Sequence, residues 1–360
     1  PDREEETGDD IEKHSITDMV YSSSGDLILA RGDFLQIINP DNSSIESGLY
    51  ENGSINKIKT SNNGKLIVSM ANNIFSLNQG LGINLGPGDP SVKIWTNKGK
   101  LIATLYGHKG QVVDASFSMD DRLLATASYD GTVRIWNMDT KKEVAVMNVS
   151  DKTVDAVAFS YDGRMVVTGS NDGMVMLWDI SGKVLRSFPG HSSLIHQVSF
   201  SADDNFILSS SADETFRIWE KSTGGVTVFT SIEDDFIMYT PDGLWDGSRH
   251  CGRSIAMVSG MDCWSIDQFA IKNNRPDLIL AKLPNPDRKL ISEYNRQYKK
   301  RIAKLEKLYG IKESDLSSEM HVPKAEILKA VQNGKSLNLS IKLTDSQYDI
   351  VSYNVYVNDV

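Results

Sequence analysis

A histidine and a cysteine stand side by side at His250-Cys251, and a second cysteine follows at Cys263. A thiol activated by an imidazole is the pairing that nucleophilic catalysis on acyl groups requires. Adjacent residues of a strand point to opposite faces, so His250 and Cys251 are not placed to share a proton. Cys263 has no catalytic motif around it. The two cysteines match no zinc spacing, and a disulfide between them is compatible with the sequence but not implied by it. His14, His196 and His321 show no metal-ligand spacing. Glycines cluster at Gly80-Leu81-Gly82 and Gly86-Pro87-Gly88, but this is not G-x-G-x-x-G, and no helix signal follows to complete a phosphate cradle. The chain is therefore read as non-enzymatic, with no catalytic residue, metal or cofactor expected.

The polar residues that recur at fixed spacing belong to a repeat. SYDGTVRIWN at Ser128–Asn137, SNDGMVMLWD at Ser170–Asp179 and SADETFRIWE at Ser211–Glu220 follow one another at intervals of 42 and 41 residues. Gly107-His108 and Gly190-His191 precede two of them by twenty residues. Each unit reads as four strands. In one, Gln111–Ser118, Leu123–Ser128, Thr132–Asn137 and Glu143–Val149 are short runs rich in Val, Ile and Thr, bounded by Asp/Gly turns. A single four-stranded sheet cannot bury both its faces, whereas sheets stacked around an axis can. A period near forty with Ser-x-Asp and then Trp predicts an all-β β-propeller.

At these residues the chain resembles the WD-repeat family. The resemblance implies an Asp–His–Ser–Trp hydrogen-bond chain within a blade: Asp130, His108, Ser128 and Trp136 in one unit, and Asp213, His191, Ser211 and Trp219 in another. The unit between them keeps Ser170, Asp172 and Trp178 but has Ser150 at the histidine position, so its network is expected to be incomplete. Polar satisfaction is the physical reason for such a set, since a buried indole N–H, hydroxyl and imidazole each need a partner. The resemblance also makes the residues just before the turn aspartates, Tyr129 and Asn171, candidate partner contacts; Ala212 is too small to anchor one.

Degraded units precede these, at Ile16–Ile38 with Ile38 in place of Trp, and at Lys57–Gly107 with Trp95 in register with Trp136. The second is interrupted at Ile74–Pro90 between its second and third strands, so the insertion is expected to rise from the face that carries Tyr129 and Asn171. Phe236–Ser248 begins a divergent sixth unit, in which Thr240 and Gly243 align with Ser160 and Gly163. Six blades are expected over residues 14–264, or seven if further sequence precedes them. Residues 1–13 are acidic and polar and read as disordered. With no initiator Met, the chain reads as a fragment or a processed product, cytoplasmic or exported.

The net charge of −10 argues against a nucleic-acid partner, which calls for a basic footprint. No apolar run reaches the eighteen residues of a membrane span. From Ser265 the pattern turns helical. Asn285 as cap, Pro286 at the first position and a stripe of Ile291, Tyr294, Tyr298, Ile302, Leu305 and Tyr309 predict a helix ending at Gly310, within a helical segment over 265–334. Alternation at Leu337–Leu343 and Val351–Val357 predicts a β hairpin within 335–360.

The run YTPDGLWDGS, then IDQFAIKNNRPDLILAKL, a Lys/Tyr-rich helix and NVYVNDV resembles the linker region of bacterial proteins that join WD repeats to a caspase-like cysteine peptidase domain. This implies a recognition or regulatory module with a protein or peptide partner on its propeller face, and a peptidase domain in cis beyond Val360. The alternatives are the amino-terminal part of an active peptidase and a pure scaffold.

Overall fold

The computed structural model describes residues 16–41, 43–47, 53–73, 90–232, 234–248, 250–251, 256–259, 262–265, 270–316, 324–333 and 336–344. The disordered tail expected at 1–13, the body of the Ile74–Pro90 insertion, and Val351–Val357 lie outside these residues. The chain divides into two compact units, Pro1–Asn295 and Arg296–Val360.

The first unit is a β-propeller built from successive four-stranded antiparallel sheets. Blade one comprises β1 (Ile16–Tyr21), β2 (Leu27–Arg31), β3 (Phe34–Ile38) and β4 (Ser44–Ser47). Blade two comprises β5 (Gly53–Thr60), β6 (Leu66–Asn73), β7 (Val92–Thr96) and β8 (Leu101–Leu105). In blade three are β9 (Val112–Phe117), β10 (Leu123–Ser128), β11 (Thr132–Asn137) and β12 (Glu143–Asn148). Blade four holds β13 (Val154–Phe159), β14 (Met165–Ser170), β15 (Val175–Asp179) and β16 (Val184–Phe188). Blade five begins with β17 (Ile195–Phe200), β18 (Phe206–Ser211), β19 (Thr215–Glu220) and β20 (Val226–Ile232).

Strand alternation gives every blade two apolar faces, here called front and rear. The front of blade three, with Val112, Ala115, Phe117, Leu124 and Trp136, packs on Val68, Met70, Val92 and Ile94 of blade two. Its rear, with Ala125, Ala127, Val133 and Ile135, packs on Val154, Val157, Phe159, Val166 and Trp178 of blade four. Burying a large apolar side chain contributes about 1.5–3 kcal/mol, so each blade depends on its neighbours.

Polar side chains tie the blades at both strand ends. On the first strands, Asp18 Oδ2 accepts the Ile58 N–H at 2.8 Å and Asp114 Oδ2 accepts the Val157 N–H at 3.0 Å. Lys57 Nζ lies 2.9 Å from Asp114 Oδ1. In the turn joining the first two strands of blade five, Asp204 accepts the N–H groups of Tyr161 and Asp162 of blade four, both at 2.8 Å. Asp121 does the same for Asn62 and Asn63 of blade two. Both aspartates have positive φ, 55° and 58°, which turns the short carboxylate toward the neighbouring blade.

The Phe236–Ser248 unit supplies two strands, β21 (Asp235–Tyr239) and β22 (Trp245–Gly247), and both join blade five outside β20. Loop length explains this placement. In the complete repeats five or six residues lead from an outer strand to the next inner one, as over 149–153 and 189–194. Ile232 and Asp235 are paired partners, and a two-residue connection closes a hairpin. Crossing a four-strand sheet requires about 14 Å, at roughly 4.8 Å per strand. Beyond it, β23 (Ala256–Ser259) pairs with β24 (Asp262–Ser265).

Helices α1 (Ala270–Asn273) and α2 (Pro276–Ala281) follow. The Arg275 N–H donates to Trp245 O at 3.0 Å. Buried Asp277 accepts from Arg275 Nε and Nη2 at 2.9 and 2.8 Å and from Asn295 Nδ2 at 2.9 Å. Helix α3 (Arg288–Tyr309) starts later than its sequence suggests. Asp287, not Asn285, caps it, accepting the N–H groups of Lys289 and Leu290 at 2.9 and 3.2 Å. Gly310, at φ 73°, ends it.

In the second unit Tyr298 and Ile302 are buried, whereas Tyr309, assigned to the same stripe, is half exposed. A hairpin of β25 (Lys324–Asn333) and β26 (Ser336–Thr344) follows. The strand expected at Leu337–Leu343 thus pairs with residues upstream of it, inside the stretch assigned as helical. Asn333 and Ser336 are paired, and the two-residue Gly334-Lys335 connection, with Gly first, is a hairpin signal that favours this partner.

Candidate recognition face

The turns between second and third strands, at 129–131, 171–173 and 212–214, share one construction. The N–H groups of Tyr129, Asn171 and Ala212 donate to the carbonyls of Gln111, Thr153 and Leu194, at 2.9, 3.0 and 2.9 Å. The backbone is thereby pinned to the start of the first strand, and all three side chains are exposed at one end of the blades.

The hydrogen-bond chain beneath differs from the sequence expectation in one member. Trp136 Nε1 donates to Thr126 Oγ1 at 2.9 Å, Thr126 Oγ1 lies 2.8 Å from His108 Nε2, and His108 Nδ1 lies 3.0 Å from Asp130 Oδ2. In blade five Trp219 donates to Ser209 Oγ at 2.8 Å, which lies 2.8 Å from His191 Nε2, and His191 Nδ1 lies 2.9 Å from Asp213 Oδ2. Ser128 and Ser211, assigned to the chain from the resemblance, are not in it. They donate to Gly110 O at 2.8 Å and Ser193 O at 3.0 Å, and accept the N–H groups of Asp130 and Asp213.

Register explains the difference. Trp136 pairs with Leu124, so Thr126 is its diagonal neighbour about 7 Å along the strand, whereas Ser128 lies about 13 Å away. A hydroxyl two residues before each repeat serine (Thr126, Thr168 and Ser209), with Ser69 at the same place before Ala71 in blade two, was the available signal. Blade two keeps the indole–hydroxyl pair, with Trp95 Nε1 2.7 Å from Ser69 Oγ.

One proton arrangement satisfies the full chain. In blade five Asp213 accepts from His191 Nδ1–H, the Ser209 hydroxyl donates to Nε2 and the Trp219 indole donates to the Ser209 oxygen, which leaves the His191 imidazole neutral. Burial alone raises the Asp130 carboxyl. Hydrogen bonds from His108, Thr132 and the Lys109 N–H outweigh it and hold the group well below the ordinary carboxylate value. Asp213 is held down in the same way by Thr215, His191 and the Ser192 N–H, again against burial. Burial lowers the His191 imidazole, and Asp213 opposes this only in part.

Blade four breaks the chain. Ser150 Oγ donates to Asp172 Oδ2 at 2.9 Å, and Trp178 Nε1 to Thr168 Oγ1 at 3.0 Å, with no imidazole between them. Ser170 Oγ turns onto Asp172 Oδ1 at 2.5 Å. Beside this gap lies an open, polar cavity of about 640 Å³ lined by Asp130, Thr132, Asn148, Ser150, Asp151 and Asp172. Tyr129 is 47% exposed, and partial burial with the charge of Asp155 raises its phenol.

His250 and Cys251 lie in a turn rather than the strand assumed above. His250 is exposed, while Cys251 is buried against Ile237 and Trp245. The side chain of Cys263 is outside the described residues. Among the described residues no three His, Cys, Asp or Glu side chains group as metal ligands, and no helix is long and apolar enough to cross a membrane.

A family profile described as nucleolar protein 10-like, N-terminal domain, matches residues 48–261. The nuclear distribution protein PAC1 of Ajellomyces capsulatus (strain H143) is 39% identical over 142 residues, covering 38% of this chain and 31% of that protein. Periodic tryptophan protein 2 of Arabidopsis thaliana is 28% identical over 172 residues, covering 44% and 18%. The matched part of this chain thus spans about a third or less of these relatives' length. A chain in the crystal structure of the mitotic checkpoint complex superposes with a TM-score of 0.51 over 65% of this chain and 76% of that one, at 15% identity, which shows the fold alone.

Proposed function

This chain belongs to the nucleolar protein 10-like N-terminal β-propeller family, and from that premise we propose that it is a non-enzymatic interaction scaffold that binds a protein or peptide partner on its Ser-x-Asp turn face. The observation that carries this reading is the shared pinning of Tyr129, Asn171 and Ala212. Rigid turns present these side chains with little ordering cost on binding. Tyr129 supplies an aromatic anchor of the kind that dominates interfaces, and Asn171, on the equivalent turn of the next blade, an adaptable amide.

The test is partner binding by the full chain and by Tyr129→Ala and Asn171→Ala variants. The partner is first recovered by cross-linking from the source cells. Loss of about tenfold or more in affinity for Tyr129→Ala, with an unchanged unfolding midpoint, is expected; unchanged affinity in both variants refutes the assignment.

A second reading makes the scaffold the recognition module of a caspase-like cysteine peptidase of bacterial type, with the peptidase in cis beyond Val360. It rests on the resemblance carried by Phe236–Val360. Reading the gene past Val360 for a domain with a His followed by a Cys decides it. The chain itself is expected to hydrolyse no casein. Activity lost in Cys251→Ala or Cys263→Ala would overturn the non-enzymatic reading.

A further inference from the structure

Helix α3 has two unlike sides within the second unit. Tyr298 and Ile302 are buried, whereas Arg296, Lys299, Lys300, Lys304 and Lys307 are all exposed. At 3.6 residues per turn these five fall within one sector of about 140°, opposite the buried pair, with the small Ala303 among them. From Arg296 to Tyr309 the helix has six Lys or Arg residues and one acid, Glu306, in a chain with 48 acidic and 38 basic residues overall.

Helix stability does not account for this excess. Arg296 and Lys300, and again Lys300 and Lys304, stand four residues apart, where like charges oppose the helix. The helix dipole rewards cations only in the last turn. That covers Lys307 but not Lys299 and Lys300, which lie ten and nine residues before Tyr309. Lys299, Lys300, Lys304 and Lys307 make no ion pair with a described residue. Repulsion retained along one face without a counter-charge is relieved when an anion settles on it.

We propose that the exposed face of α3 over Arg296–Lys307 binds an acidic, Asp/Glu-rich segment of a partner protein. Charge complementarity selects an anion, and the surroundings select this one. No aromatic ring stands on the basic face, since Tyr298 is buried, so bases have no stacking platform. The apolar residues Tyr298 and Ile302 are turned inward, so the face has nothing to insert into lipid. A long polyanion would also meet the acidic excess of the rest of the chain, whereas a short segment need not. The row of charges is about 16 Å long at 1.5 Å per residue, which about five residues of extended peptide cover. This surface belongs to the second unit alone and does not depend on the Ser-x-Asp turn face.

The test is fluorescence anisotropy of a labelled hexaglutamate peptide with the full chain, beside an oligothymidylate of equal charge. A net charge of −10 repels both probes, so binding requires a local site. The wild type is compared with a quadruple variant, Lys299→Gln, Lys300→Gln, Lys304→Gln and Lys307→Gln. A control makes the same change at four exposed lysines of the propeller, Lys98, Lys100, Lys142 and Lys183. Gln forms helix about as well as Lys, so the circular dichroism is expected to hold; Lys300→Glu alone, expected to weaken binding severalfold, replaces a quadruple variant that fails to fold. The wild type is expected to bind the peptide, and more weakly as salt rises. The helix variant should lose about tenfold, as four exposed ion pairs of ordinary strength supply, and the control should stay within about twofold. A wild type that does not bind the peptide overturns the proposal. So does an equal loss in both quadruple variants, or tighter binding of the oligothymidylate, which would make the ligand a nucleic acid.

Discussion

His191 and Asp213 are joined across 22 residues by a 2.9 Å contact between Nδ1 and Oδ2, and both side chains are almost completely buried, at 0 and 6% exposure. The pair links the start of the first strand to the turn between the second and third. It therefore ties the core tryptophan to the residues displayed at the blade end.

Removing the imidazole takes one partner from Asp213 Oδ2 and one from the Ser209 hydroxyl, both buried. His191→Ala is expected to cost about 1–3 kcal/mol and Trp219→Ala about 3–5 kcal/mol. Thr126→Val, which deletes the hydroxyl between indole and imidazole, should cost as much as His191→Ala. Ser150→Ala, in the blade without an imidazole, should stay within about 0.5 kcal/mol. Urea midpoints rank the four; Ser150→Ala costing more than His191→Ala would contradict the network.

Acid should loosen the same blade. The folded-state value of His191 lies below the ordinary 6.5. As pH falls below 6.5 the unfolded chain takes up a proton that the folded chain does not, and stability declines. Asp213, held well below the ordinary carboxylate range, adds stability that is present above its unfolded value and lost only at strongly acid pH. Between pH 7 and 5 the urea midpoint is expected to fall, and less steeply in His191→Gln. An equal slope in both proteins would contradict the neutral, buried imidazole.

The blade-end clasps make a third prediction. Asp204 is buried and accepts two N–H groups of the neighbouring blade. Asp204→Ala should cost about 1–3 kcal/mol, and Asp204→Gly, which suits the positive φ but also loses the carboxylate, should not recover it. Amide exchange at Tyr161 and Asp162 should quicken in both variants. Unchanged exchange there would show that the clasp does not hold the turn.

Strand order was legible because the Ser-x-Asp and Trp positions recur and the alternation between them leaves one register for each sheet. The network hydroxyl was not. Thr126 and Ser128 lie on the same face of β10, and only the pairing of Trp136 with Leu124 places one within reach of the indole. The β21–β22 hairpin carries the residue pattern of a blade, but its connection from β20 is too short to start a new one. The cap of α3 was misplaced because Asn285 and Asp287 are both capping residues, and only the backbone decides between them. Of the proposed recognition face, the exposed positions of Tyr129 and Asn171 could be read from the repeat, whereas the open cavity beside Ser150 needed coordinates.

The most direct test of the recognition face compares two exposed tyrosines at opposite ends of the blades. Tyr129 stands on a Ser-x-Asp turn at 47% exposure, and Tyr161 on a turn between first and second strands at 50%. A photo-cross-linking residue is placed at each position in turn in the full chain, and adducts are scored in the source cells. The account predicts an adduct with a discrete protein partner from position 129 that is suppressed by Asn171→Ala, and none from position 161. An adduct from position 161 with none from position 129 would contradict it.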